Sequence, residues 1–196
     1  MTVTRELLIV AGPNGSGKTT FASACLEEHA ISYLSADAIA EEIAPRDAMS
    51  VRIQAGRQFL TALHDRLSRQ ESLLVESTLS GTSLRHVLSE ARGLRFSVSI
   101  VYIYLDSPET CLARIAERVR KGGHDVPEED VRRRFWRSIR NFWNVYRGMA
   151  ESWMLVYNSY GRFQDVAAGS GNEIKVRDPD LYSVFLKLVE ASKNGQ

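Results

Sequence analysis

Hydrophobic and polar positions follow two alternating rhythms along the chain. Strand-length apolar runs occur at Glu6–Ala11, Ser32–Ser35, Ser72–Ser77, Phe96–Leu105 and Ser152–Asn158. Between them, apolar residues recur at three- and four-residue spacing, the mark of helices with one buried face. These helical stretches are Lys18–His29, Ala36–Ala44, Ser50–Gln70, Leu84–Arg92, Pro108–Lys121, a segment opening at Pro127, and Pro179–Ser192. Their starts carry cap signals: Ser107 before Pro108, three acids (Glu128, Glu129, Asp130) after Pro127, and Asp178 before Pro179. Strands separated by helices predict a parallel sheet covered on both faces. The expected fold is α/β, three layers, with five parallel strands. In such a sheet, ligands bind beyond the carboxyl ends of the strands.

The chain has 196 residues, 44% of them hydrophobic and 25% charged, with 13 Gly and 5 Pro. That is ordinary globular usage and fits one domain over 1–196, with no disordered or collagenous stretch. No apolar run reaches transmembrane length, and the apolar stretch Leu7–Ala11 is too short for a signal sequence, so a cytoplasmic location without membrane contact is expected. Cys25 and Cys111 form no CxxC and have no histidine at metal spacing; they read as small buried hydrophobes. Ala168–Asn172 reads as a turn.

Chemistry concentrates at the strand ends. The first strand runs into Gly12, Pro13, Asn14, Gly15, Ser16, Gly17, Lys18, Thr19 and Thr20, which fits the pattern GxxxxGK[ST] between a strand and a helix. Glycines there let successive N–H groups point inward at phosphate oxygens, and the helix N-terminus adds positive potential. Lys18 is placed to reach the β- and γ-phosphates of a nucleoside triphosphate, and Thr19 to hold Mg²⁺. Asp37 follows the second strand, where a carboxylate can take the proton of an attacking hydroxyl; a helix N-cap is the competing reading. Glu76 ends the third strand, on the metal or the substrate side. Thr78 offers a hydroxyl to substrate, and Asp106 reads as a helix starter.

Net charge is +1. Residues 113–147 nevertheless carry ten basic against five acidic side chains, a surplus of five, which leaves the remainder at −4. Two arginine-bearing helices flank Lys121–Pro127, which contains Gly122, Gly123 and His124. The arrangement reads as a lid, about 114–147, that closes arginines over a phosphoryl group and excludes water. The aromatics among these arginines (Phe135, Trp136, Phe142, Trp143) lie seven apart and read as a buried stripe, so nucleic acid is not expected as a partner.

Taken together, Gly12–Thr20, Ser35–Asp37, Glu76–Gly81, Leu105–Glu109, Arg118 with Gly122–Pro127, Arg133–Phe135 and Tyr157–Ser159 resemble the zeta toxin family, in the branch labelled predicted ABC-type ATPase. The resemblance implies a P-loop kinase fold with ATP and Mg²⁺. It implies transfer of a γ-phosphate to a small-molecule hydroxyl, in better known members the sugar of a UDP-activated amino sugar, and an antitoxin protein as partner. By position, Asp37 matches the catalytic carboxylate, and Glu76 and Thr78 the substrate-side strand end, with His124 beside them in the hinge. Arg118 and one of Arg133 or Arg134 match the γ-phosphate arginines, and Asn158 the adenine-contacting loop. The chain lacks the C-terminal extension of the long toxins. A nucleotide-gated binding module and a polynucleotide kinase are the alternatives to a small-molecule kinase.

Overall fold

The computed structural model describes residues 5–28, 31–45, 47, 49–159 and 161–194. Its strands are β1 (Glu6–Ala11), β2 (Ser32–Ser35), β3 (Leu73–Ser77), β4 (Ser97–Tyr104), β5 (Ser152–Ser159), β6 (Arg162–Ser170) and β7 (Glu173–Val176). Its helices are α1 (Lys18–Glu28), α2 (Ala36–Ile43), α3 (Arg52–Ser68), α4 (Leu84–Gly93), α5 (Pro108–Arg120), α6 (Glu128–Asn141) and α7 (Pro179–Asn194). His29, the expected end of the first helix, lies outside the described residues.

One sheet runs in the order β2-β3-β1-β4-β5-β6-β7. The first five strands are parallel, as the alternation of elements predicts. The strand count is corrected from five to seven, because β6 and β7 extend the sheet as antiparallel strands. The segment read as a turn at 168–172 is the tip of this β6–β7 hairpin, where Gly171 takes a φ of 56°.

The two faces of the sheet are packed unequally. Leu7, Ile9, Leu73, Val75, Ile100 and Tyr102 enter a large core with α3, α4, α6 and α7. Val10, Leu74, Ile103 and Val156 form a smaller cluster under Ala22 of α1. Period-two alternation sorts these residues to opposite faces. Ser35 caps α2 through its side chain, and Ser107 caps α5, with Thr110 also donating to Asp106.

Past α6 the helix widens into one π-turn, Phe142–Tyr146, in which the Arg147 N–H reaches back five residues to the Phe142 carbonyl at 2.9 Å. Phe135, Phe142 and Tyr146 are fully buried, and Phe142 stacks on Tyr102 at 4.1 Å between centroids. This footing holds the loop after β3. Ser138 donates to the Thr78 carbonyl at 2.5 Å, Asn141 to the Leu79 carbonyl at 2.8 Å, and Tyr146 to the Gly81 carbonyl at 2.8 Å. Leu79 is thereby held at a φ of 51°, a left-handed conformation that costs a leucine free energy. Among the described residues no helix is long and apolar enough to cross a membrane.

Candidate active site

The loop between β1 and α1 turns sharply at Gly12, whose φ is 147°. A Cβ there would lie 2.1 Å from the Ile103 carbonyl oxygen, so only glycine lets β1 and β4 approach this closely. Gly15 and Gly17 also have positive φ and curl the chain around the N-terminus of α1. Lys18 folds back over the loop, 6% exposed, and its Nζ donates to the Pro13 carbonyl at 3.1 Å. Asn14 Oδ1 and Ser16 Oγ are buried without a hydrogen-bond partner. Buried polar atoms are rarely left unpaired, so orphans inside a loop of this shape fit a ligand that completes it. The loop therefore suits a polyphosphate.

Glu76 is 7% exposed and its two oxygens are both engaged. Thr19 Oγ1 donates to Oε1 at 3.1 Å and Tyr33 OH to Oε2 at 2.8 Å. A hydroxyl beside a carboxylate at the phosphate loop is a donor set that suits Mg²⁺, which takes one or two protein oxygens and completes its shell with phosphates and water. Among the described residues there is no group of three or more His, Cys, Asp or Glu that could form a protein-only cage.

Two cavities meet here. One, about 260 Å³, is lined by the phosphate loop, Lys18, Thr19, Tyr33, Glu76, Arg114 and Arg118. The other, about 810 Å³, lies between α2, the start of α3 and the 122–127 segment, with Arg52 and Arg134 in its wall. Asn14, Asp37, Glu41 and His124 line both. The N-cap of α2 is Ser35, which leaves the Asp37 carboxylate free of capping duty. Among the described residues that exposed carboxylate has no hydrogen-bond or ion-pair partner.

The arginine segment has two kinds of footing. Residues 131–142 are built into the core, with Val131, Phe135, Ile139 and Phe142 fully buried. The 121–127 stretch is tied down by the buried side chain of Val126 and by polar contacts: Arg118 donates to the His124 carbonyl at 2.8 Å, and His124 Nδ1 meets Glu41 Oε1 at 2.8 Å. Asp130 gathers Arg52 (2.8 Å), Arg133 and Arg134 (3.2 Å) around one carboxylate. Burial there opposes charge, but Arg134, Arg133 and Arg52 outweigh it and hold this carboxyl below the usual range. Arg132 pairs with Glu109 and Glu128.

A family model described as an AAA domain matches residues 7–136, two thirds of the chain with this loop and both cavities' walls. The chain belongs to this AAA domain family. An uncharacterized protein of Haemophilus influenzae is 34% identical over 131 residues, covering 66% of this chain and 92% of that one. Among solved structures, the AvrRxo1-ORF1:ORF2 complex with ATP superposes with a TM-score of 0.72 at 18% identity over 96% of the chain. The chain spans 64% of the length of that neighbour. The PezAT chromosomal toxin–antitoxin system of Streptococcus pneumoniae gives 0.63 at 13% identity, with 98% of this chain and 88% of that one covered. The AAA domain here thus shares its fold with both of these neighbours.

Most residues singled out in the sequence converge. Asn14, Gly15, Gly17, Lys18, Thr19, Thr20, Asp37, Glu76, Arg118 and His124 line the phosphate cavity, and Arg134 lines the larger one. Arg133 lines neither; it is 42% exposed and spent on Asp130. Thr78 faces a third groove of about 410 Å³ and shares a hydrogen bond with Ser80. Asn158 lies beneath the loop rather than in the cavity wall. Its Nδ2 donates to the Ser16 carbonyl at 2.8 Å and its Oδ1 accepts from Gly161 N. Its own carbonyl accepts from Arg114, which lines the cavity. Tyr33, Glu41, Arg52 and Arg114 were not singled out as site residues. Tyr33 and Glu41 stand in the very strand and helix that flank Asp37, and that placement was the available signal.

Asn158 is a strut for the phosphate loop. Asn158→Ala leaves the buried Ser16 carbonyl without this partner, a loss of about 1–3 kcal/mol, and frees the exposed Gly161 N–H to water. The expected result is a lower melting temperature and weaker nucleotide binding together, read by thermal denaturation and by titration with an ATP analogue.

Proposed function

We propose that the protein is an ATP- and Mg²⁺-dependent phosphotransferase that moves a γ-phosphoryl group onto a hydroxyl of a small molecule. The observation that carries this reading is Asp37: a carboxylate with no structural partner, at the junction of a phosphate-binding cavity and a larger one. The acceptor occupies the larger cavity and presents its hydroxyl to Asp37. That hydroxyl gives its proton to the carboxylate as its oxygen bonds to phosphorus, and the bridging β–γ oxygen bond breaks. Lys18 and Arg118 stabilise the charge that builds on the phosphoryl oxygens, and Arg134 faces the site from the acceptor side. Thr19 and Glu76 would hold Mg²⁺, which when bound neutralises charge on the β- and γ-phosphates. Residues 121–125, which come before the buried Val126 and carry Gly122 and Gly123, are the part of the arginine segment suited to open and close.

The resemblance to zeta toxins supports an activated amino sugar as acceptor. With the neighbouring toxin–antitoxin and ORF1:ORF2 complexes, it also supports a restraining protein partner. The pairing of Arg52, Arg132, Arg133 and Arg134 with acids on the same surface argues against a nucleic-acid groove. The test is incubation with ATP, Mg²⁺ and a metabolite extract, followed by mass spectrometry. A product heavier by about 80 Da, one phosphoryl group, is expected, and it should form far more slowly with Lys18→Met. ATP binding with no phosphorylated product from any extract would favour a nucleotide-gated module instead.

A further inference from the structure

We propose that Tyr33 is a positioning residue for the metal side of this site: its hydroxyl fixes Glu76 and, through Glu76, aims the hydroxyl of Thr19. The inference rests on the phosphotransfer reading and deepens it.

Three elements supply the relay: β2 gives Tyr33, β3 gives Glu76 and α1 gives Thr19. In the parallel register, Tyr33 pairs with Leu74 and Ser35 with Glu76. Tyr33 and Glu76 therefore emerge on the same face of the sheet, one step apart along it. The last torsion of a glutamate is broad and roughly two-fold, so one anchor does not define the plane of its carboxylate. Two anchors on different oxygens do. Tyr33 holds Oε2 at 2.8 Å while Oε1 receives Thr19 at 3.1 Å.

The consequence falls on Thr19. Its hydroxyl has one proton and two lone pairs. With the proton spent on Glu76, both lone pairs are turned away from that carboxylate and left for a hard cation. A Glu76 free to rotate would let the proton point elsewhere and cover the metal-facing side.

The ring of Tyr33 packs against the cluster under α1 and would do so equally as phenylalanine. Its hydroxyl is not needed for that packing. The hydroxyl lies in the phosphate cavity but is committed to Glu76.

The test compares wild type, Tyr33→Phe, Glu76→Gln and the double variant as full chains. Mn²⁺ binding is followed by the loss of its free electron-spin-resonance signal, with a non-hydrolysable ATP analogue saturating. Analogue affinity is measured separately with all metal chelated. Tyr33→Phe is expected to weaken Mn²⁺ binding about tenfold, as loss of a ligand-orienting group does. Metal-free analogue affinity should stay at the wild-type value. On the Glu76→Gln background, Tyr33→Phe should cost nothing further, since the two act as one unit. Wild-type Mn²⁺ affinity in Tyr33→Phe, an equal loss of metal-free affinity, or a full additive loss in the double variant would each overturn the inference. If Glu76→Gln alone loses Mn²⁺, the phosphotransfer reading survives that outcome. If wild type binds no Mn²⁺ with the analogue, both fall.

Discussion

Lys18→Met should slow phosphoryl transfer by about a hundred- to a thousandfold, the usual cost of losing one aimed donor to developing charge. The same change should raise the melting temperature of the nucleotide-free protein. The ammonium is 6% exposed, and among the described residues it reaches the Pro13 carbonyl and forms no ion pair. A charge held this way is costly until an anion arrives. Methionine keeps the length of the side chain and removes the charge, so the two measurements should move in opposite directions. Steady-state rates and calorimetry on the same preparation check the pair. A variant that lost rate and stability together would show that the ammonium braces the loop instead of waiting for phosphate.

Asp37→Asn is expected to reduce kcat by about a hundred- to ten-thousandfold, the range for a general base. Nucleotide affinity should change little. The side chain caps no helix and, among the described residues, accepts no hydrogen bond, so the amide disturbs nothing but the proton transfer. A carboxylate in the first turn of α2 also favours that helix by about 0.3–1 kcal/mol, and a slight drop in melting temperature should accompany the kinetic loss. Single-turnover rates beside equilibrium binding of an ATP analogue separate the two effects. A kcat above a tenth of wild type would remove Asp37 from the role of base.

The sequence carried the parallel strands because each is an apolar run bounded by turn or cap residues. It carried the phosphate loop because a strand, two fixed glycines followed by Lys18 and Thr19, and a helix start coincide there. The β6–β7 hairpin escaped because its residues give a weak signal. Arg162, Gln164 and Asp165 are exposed and only Val166 and Ala167 are buried, as befits the sheet's antiparallel margin. The π-turn has no local signature, since widening one turn changes no residue type. Thr78 is expected on the substrate side from its hydroxyl and from the resemblance, which pairs it with Glu76 at the strand end. The strand ends at Ser77, so strand alternation does not reach Thr78, whose hydroxyl meets Ser80 in a separate groove. Asn158 sits at the adenine loop of the family it resembles. Only the fold shows that both ends of its amide are consumed by the phosphate loop and the next turn. Arg133 and Arg134 are neighbours in sequence, and helical geometry alone separates the one spent at the surface from the one that lines the cavity.

The loop after β3 is gripped at Thr78, Leu79 and Gly81 through carbonyl oxygens, by Ser138, Asn141 and Tyr146, and the Leu79 side chain is sunk in the core. A carbonyl is a property of the backbone, and any of the twenty amino acids would present the same handle. Descendants of this chain can therefore exchange the exposed and half-buried side chains of the loop, the core residue Leu79 excepted, while its path stays fixed from outside. Shape is inherited from α6 and its π-turn, and chemistry is left open to revision. A scaffold divided in this way can change the lining of the groove beside this loop by point mutation, without first having to relearn how to fold.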